Sequence, residues 1–168
     1  MSDGASGASS GTTVRAYAGA DEAPVTALWE RVFPDERPWN TAAAVIARKH
    51  AEGDGLFWVA ARGADLIGAV MAGYDGQRGW IYHLAVAPEH RRGGVGRALV
   101  RAAEAALAAR GCPKINLQVL ASNREVVAFY ERLGWRVEER VSMGKTIAPR
   151  DDLETAGGRR SRGRAGGS

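Results

Sequence analysis

The chain has one cysteine, Cys112, among 168 residues, so no intrachain disulfide can form, which suits a reducing cytosol. It lacks any apolar run of membrane-spanning length. The first eleven residues are rich in Ser, Gly and Ala, carry an acid at Asp3, and lack the basic start and apolar stretch of a signal peptide. A cytoplasmic protein without a membrane role is therefore expected. The three histidines, His50, His83 and His90, lack metal-ligand spacing, so no metal is expected either. Aromatic residues are only 7% of the chain, yet apolar residues reach 45%, enough for a core that needs no covalent staple.

What is present is one domain between two tails. Residues 1–12 are low in complexity and read as a disordered N-terminal tail. Residues 149–168 open with Pro149 and end in Gly, Arg and Ser, which reads as a second disordered tail. The net charge of +4 belongs partly to Arg159, Arg160, Arg162 and Arg164 in that tail. A solvated tail is the simpler reading of these arginines, and contact with nucleic acid or an acidic partner is the alternative.

Residues 13–148 alternate between the two periods of regular structure. Thr13 to Tyr17 reads as a strand, followed by a helix capped by Asp21 with Val25, Leu28, Trp29 and Val32 at helical spacing. Pro34 and Pro38 bound a loop, and Thr41 caps a second helix to about His50. Leu56–Ala61, Leu66–Tyr74 and Trp80–Val86 read as three strands, separated by Gly63–Asp65 and by the hairpin signal Asp75-Gly76. Gly94 to Arg110 carries one apolar stripe and stops at Gly111, the clearest helix of the chain. Ile115–Leu120 reads as a strand, Asn123 opens a helix that ends at Gly134, and two more strands are expected over Arg136–Ile147. Hairpins and crossovers are mixed, so the fold is α/β with a mixed sheet.

The chemistry concentrates where a strand runs into a glycine-rich turn and then a long helix. Arg91, Arg92, Gly93, Gly94, Val95, Gly96 and Arg97 stand at that helix start. Backbone N–H groups there lack helical partners and carry partial positive charge, and glycines let a ligand approach closely. An anion, and a pyrophosphate above all, suits such a turn. The dinucleotide fingerprint and the nucleotide P-loop both fail on spacing, since the glycines run Gly93-Gly94-x-Gly96 with no Lys-Ser/Thr after them. A helix start without a ligand is the plainer alternative. The second constellation is Asn123, Val126, Phe129, Tyr130, Gly134 and Trp135, where a Tyr on an amphipathic helix is ordinarily a core residue.

Together the two segments resemble the signature motifs of the GNAT superfamily of N-acetyltransferases. Arg91, Gly94 and Gly96 match the first, and Asn123, Phe129, Tyr130 and Gly134 match the second, with Val126 and Trp135 as conservative departures. Segments such as Arg37-Pro38-Trp39-Asn40 and Gly73-Tyr74-Asp75-Gly76 are similar to the small bacterial YpeA-type members. The resemblance implies a GNAT fold, a mostly antiparallel mixed sheet of about seven strands flanked by four helices. It implies acetyl-CoA as co-substrate, held by the backbone of Leu84, Ala85 and Val86 and by the turn from Arg91 or Arg92 to Arg97, with Asn123 touching the cofactor arm. The strands Trp80–Val86 and Ile115–Leu120 would splay to admit it. Tyr130 matches the family's general acid, and a backbone N–H near Leu84 or Ala85 would meet the oxyanion. The acceptor is then an amine of a small molecule or peptide, in a pocket that Trp29, Glu30, Arg37, Trp39 and Tyr74 would line. A homodimer is compatible with the family. A cofactor-binding sensor without turnover and a nucleic-acid-binding protein using the arginine tail are the competing functions.

No general base is evident. Trp80 and Tyr82 stand where some relatives carry a Glu, and Gln118 stands where relatives that acetylate protein N-termini carry one. His83 and Asp75 remain. Strand alternation sets His83 on the opposite face from Tyr82 and Leu84 unless a bulge intervenes, which favours a packed or solvated role. Asp75 reads as a turn residue.

Overall fold

The computed structural model describes residues 11–34 and 38–147. The expectations placed on residues 1–10, on Arg37 and on the arginine run of 148–168 lie outside these described residues. Thr12, read above as the end of a tail, instead opens the first strand.

Five strands and four helices follow in the order β1 (Thr12–Ala16), α1 (Glu22–Val32), α2 (Ala42–Glu52), β2 (Phe57–Arg62), β3 (Asp65–Tyr74), β4 (Gly79–Val86), α3 (Val95–Ala109), β5 (Ile115–Asn116) and α4 (Arg124–Arg132). The sheet order is β1-β2-β3-β4-β5. The first four strands are antiparallel neighbours, and β5 alone pairs parallel, to β4. Helices cover both faces. Val25, Leu28 and Trp29 of α1 and Val45 and Ile46 of α2 pack with Phe57, Val59, Ala69, Met71 and Ala85 on one face. Leu99, Val100, Ala103 and Leu107 of α3 pack with Ala60, Ile67, Val70 and Ile81 on the other.

Local chemistry sets the element ends. Thr41 Oγ1 accepts from the Ala44 N–H, satisfying one orphan donor at the start of α2. Gly53, at φ 61°, ends the same helix in the left-handed region. Asp75 Oδ1 accepts from Gln77 N–H at 2.8 Å and from Arg78 N–H at 2.6 Å, which makes it the turn residue expected.

The strand count is lower than the seven expected. Residues 136–147 form no strand, and Val137, Val141, Met143 and Ile147 are exposed. Alternating apolar residues need a neighbouring strand edge before they can form a ladder. Here the segment is tied to β5 and its continuation by side chains instead. Lys114 and Asn116 both donate to Glu138, and Gln118 Nε2 donates to Ser142 Oγ at 2.6 Å. β5 itself spans two residues rather than the six expected.

Asp21 ties β1 to α1. Its carboxylate accepts two bonds from the Arg15 guanidinium, at 2.6 and 2.7 Å, and one from the Ala18 N–H at 2.9 Å. The bond from Arg15 holds the carboxyl below its ordinary range, against the upward push of burial. A depressed folded pKa contributes stability that is complete above the unfolded value near ~4 and is lost as pH falls through the folded one. Asp21→Asn is therefore expected to lower unfolding free energy by about 1–3 kcal/mol at pH 7. In urea titrations run at several pH values, the gap between variant and wild type should close on acidification below pH ~4. A gap unchanged at low pH would show that the ion pair is not its source.

Candidate active site

The glycine turn is built as a strand-to-helix corner. β4 ends at Val86, a single 3₁₀ turn covers Pro88–His90, and α3 starts at Val95. Arg92 adopts φ 63° and Gly94 φ 80°. Gly94 is the N-cap of α3 and supplies no side chain to cap it, so the first-turn N–H groups of the helix are left for another acceptor. Arg91, Arg92, Gly93, Gly94 and Arg97 are exposed around this turn, whereas Val95 is buried beneath it. Arg91 Nε donates to the Val86 carbonyl at 3.3 Å and so fastens the turn back onto β4. A Cβ at Gly96 would stand 3.3 Å from Phe129, so the missing side chain is what lets α3 meet α4 there.

A wedge opens beside this corner. β4 and β5 pair only at Gly79/Ile115 and Trp80/Asn116, and the chains part beyond them. The edge of β4 that carries Leu84, Ala85 and Val86 is used on one side only, through Ala85/Ala69 and Val86/Gly68. The two strands thus part after Trp80 and Asn116. Asn123 caps α4, its Oδ1 accepting from the Val126 N–H at 3.4 Å. That engages the oxygen and leaves the amide N–H₂ as the donor it can offer a ligand.

Tyr130 lies 7% exposed among the α3-face residues, in edge-to-face contact with Phe129 and Trp135. Its hydroxyl has no hydrogen-bond partner among the described residues. Burial, and then the nearby Glu104 charge, push the phenol above its ordinary range, so it stays protonated across the working pH range.

On the other face, a cavity of about 160 Å³ is lined by Trp29, Glu30, Phe33, Pro34, Asn40, Thr41, Ala42 and His83. Of the residues expected to hold an acceptor, Trp29 and Glu30 are on its wall. Trp29 is otherwise a core residue, 1% exposed. Trp39 lies in the short turn before α2, off the cavity wall, where its carbonyl accepts from Arg48 at 2.7 Å. Tyr74 does not belong with them. It pairs with Gly79 and packs with the α3-face cluster, on the opposite side of the sheet, because strand alternation from that register turns it away.

His83 stands opposite Leu84, as strand alternation implies, and the bulge left open above decides its face relative to Tyr82. The β3–β4 register slips between Ala69 and Met71, so that Met71 faces Tyr82 and Ala69 faces Ala85, and His83 and Leu84 together oppose Val70. This is a β-bulge, and His83 takes φ 46° in it. His83 thereby joins the α1 face, its ring 4.9 Å from Trp29 and 5.7 Å from Phe33, while Leu84 packs on the α3 face. Phe33, Asn40 and Thr41 were not foreseen as wall residues. Nothing local marks them, since only the approach of α1 and the start of α2 to the bulge makes the cavity.

Cys112 Sγ lies 3.2 Å from the Lys114 carbonyl in a half-buried position at the α3–β5 junction. Among the described residues, no group of three or more His, Cys, Asp or Glu is placed to hold a metal ion, and no helix is long and apolar enough to cross a membrane.

This arrangement has counterparts among known proteins. The sequence profile of the acetyltransferase (GNAT) family matches residues 22–135. Among solved structures, the aminoglycoside N-acetyltransferase AAC(6')-Iy in complex with CoA is similar at 18% identity and a TM-score of 0.70, over 84% of this chain and 99% of that one. The PaiA N-acetyltransferase of Thermoplasma acidophilum, in complex with coenzyme A, is similar at 19% identity and a TM-score of 0.67, over 79% of this chain and 94% of that one. A transcriptional regulator from Bacillus halodurans C-125 shares 27% identity at a TM-score of 0.62, over 80% of this chain and 100% of that one.

Proposed function

The chain belongs to the GNAT acetyltransferase family, and from that premise we propose that it moves an acetyl group from acetyl-CoA to a primary amine of a small molecule or peptide, in a ternary complex. One observation carries this reading. An uncapped helix N-terminus, led in by Gly94 at φ 80°, stands beside the wedge that opens between β4 and β5. That corner offers backbone N–H groups, fixed dipole and three arginines (Arg91, Arg92 and Arg97) to a pyrophosphate. The backbone of Leu84, Ala85 and Val86 faces the wedge on its unpaired side and suits an extended amide-bearing arm. The donor amide of Asn123 suits the same arm. Two solved relatives hold CoA, which agrees with this use of the fold.

Acetyl-CoA supplies a thioester, whose carbonyl carbon accepts the amine. The protein holds both partners, and orientation then provides much of the rate. A backbone N–H at Leu84 or Ala85 is the donor for the developing oxyanion; Leu84 lies in the bulge without a register partner on β3, and Ala85 follows it. Tyr130 offers its hydroxyl proton to the departing sulfur. The cavity beside Trp29 and Glu30 is the acceptor site, and its small volume suits a slender amine or a single side chain rather than a folded surface. Within the family, the resemblance of the segments quoted above supports a kinship with the small bacterial YpeA-type group, with a cytoplasmic enzyme as the corresponding setting.

Calorimetric titration with acetyl-CoA, followed by thiol release over a panel of amines, tests the reading. Saturable binding with amine-dependent thiol release is the expected result. Binding without turnover on any amine would favour a cofactor sensor, and no saturable binding would remove the pyrophosphate site.

A further inference from the structure

The amine that attacks must first lose a proton, because an alkylammonium of pKa ~10 is almost wholly charged at neutral pH. We infer that His83 is the group that takes this proton, an assignment that rests on the acetyltransferase reading above. Three features of its position support it. A β-bulge holds it at φ 46°, a conformation uncommon for any residue but glycine, and such conformations cluster at functional sites. The bulge turns it out of strand alternation onto the wall of the cavity that Trp29, Glu30 and Phe33 also line. Trp29 and Phe33 hold its ring at 4.9 and 5.7 Å, so the imidazole is oriented before any substrate arrives.

His83 also stands next in the chain to Leu84, whose backbone faces the wedge. One bulge therefore places a base on the acceptor side and leaves Leu84, on the thioester side, without a register partner on β3. The proton passes from the ammonium to an imidazole nitrogen, the neutral amine forms the N–C bond, and the C–S bond breaks. The sulfur keeps the electron pair and takes up, in the net reaction, the second proton that the attacking nitrogen gives up as it becomes an amide, and the imidazolium returns its own to solvent. An imidazolium formed here lies against the Trp29 indole, and Glu30 lines the same cavity. Of the described residues that line the cavity with His83, Glu30 of α1 is the titratable one, and Tyr82 precedes His83 in β4. Asn40 and Thr41, from the start of α2, are neutral.

The test uses variants that accept a positive φ, His83→Asn and His83→Gly, so that the bulge survives. Thiol release from acetyl-CoA is followed from pH 5.5 to 9.5 with tyramine, spermidine, kanamycin and free-N-terminal tetrapeptides. Wild-type kcat/KM should rise with pH through an inflection that the imidazole supplies. His83→Asn should lose that inflection and fall about 10²-fold in kcat at pH 7, with acetyl-CoA affinity unchanged. Added imidazole should restore turnover to His83→Gly, which a merely packed histidine would not allow. A His83→Asn protein that keeps kcat and the inflection overturns the assignment. So does loss of the inflection in Glu30→Gln alone, which would move the base to Glu30. A wild-type protein that releases no thiol with any amine of the panel removes the acetyltransferase reading and His83's role with it.

Discussion

Tyr130→Phe is expected to leave acetyl-CoA affinity unchanged and to lower kcat by about 10- to 100-fold. The magnitude follows from the environment of the hydroxyl. Burial raises the phenol above its ordinary value, while a thiol leaves with a pKa near ~8.5. Complete proton transfer from such a phenol to the thiolate runs uphill. Under the proposed mechanism its share of catalysis is then a hydrogen bond to charge growing on sulfur, worth about 1.5–3 kcal/mol, and that converts to the stated range. Because the hydroxyl has no partner among the described residues, the phenylalanine should cost little stability. Melting within a few degrees of wild type, together with reduced kcat and unchanged acetyl-CoA binding by calorimetry, is the expected set. The upward shift also means that ionisation of Tyr130 should not contribute an alkaline limb below pH ~10. Unchanged kcat would take Tyr130 out of the reaction and leave it as a packing residue.

Gly68→Val is expected to lower unfolding free energy by about 3 kcal/mol, which for a domain of this size is roughly 10 °C in Tm. Gly68 is the point where β3 lets α3 approach. A Cβ there would stand 2.9 Å from Leu99 Cδ1, 3.2 Å from the Ala85 carbonyl oxygen and 3.2 Å from Val95 Cγ1. Leu99 can turn aside, but the Ala85 backbone cannot without disturbing the strand. Val95 is the first residue of α3, so the same substitution lifts the helix N-terminus that forms the glycine turn. Acetyl-CoA affinity should therefore fall along with stability. Leu99→Ala alone should cost about 3 kcal/mol, and the double variant should lose less than the sum, because the new methyls occupy space the leucine left. Strict additivity in urea unfolding would show that Gly68 and Leu99 do not share a contact.

Much of the fold could be read from residue order because its signals are local. The α3 stripe at Leu99, Ala103 and Leu107 repeats at helical spacing whatever surrounds it, and all three are buried. Thr41 caps α2 and Asp75 closes its turn through bonds spanning three residues or fewer. The glycine turn belongs with these, since the unpaired N–H groups at a helix N-terminus follow from its own backbone.

The tertiary structure decided what depends on a partner strand or a distant helix. Sequence alternation gave no sign of the bulge at His83, because a bulge is a mismatch between two strands and only their pairing defines it. The face taken by Tyr74 followed the β3–β4 register for the same reason. Residues 136–147 alternate like a strand yet pair with none, since hydrophobic alternation states a preference and the ladder needs an available edge. Residue order alone determined which helices form and where they stop, and it marked the glycine turn proposed to hold an anion. The cavity, the base candidate on its wall and the number of strands depended on long-range register, which no single segment of the chain encodes.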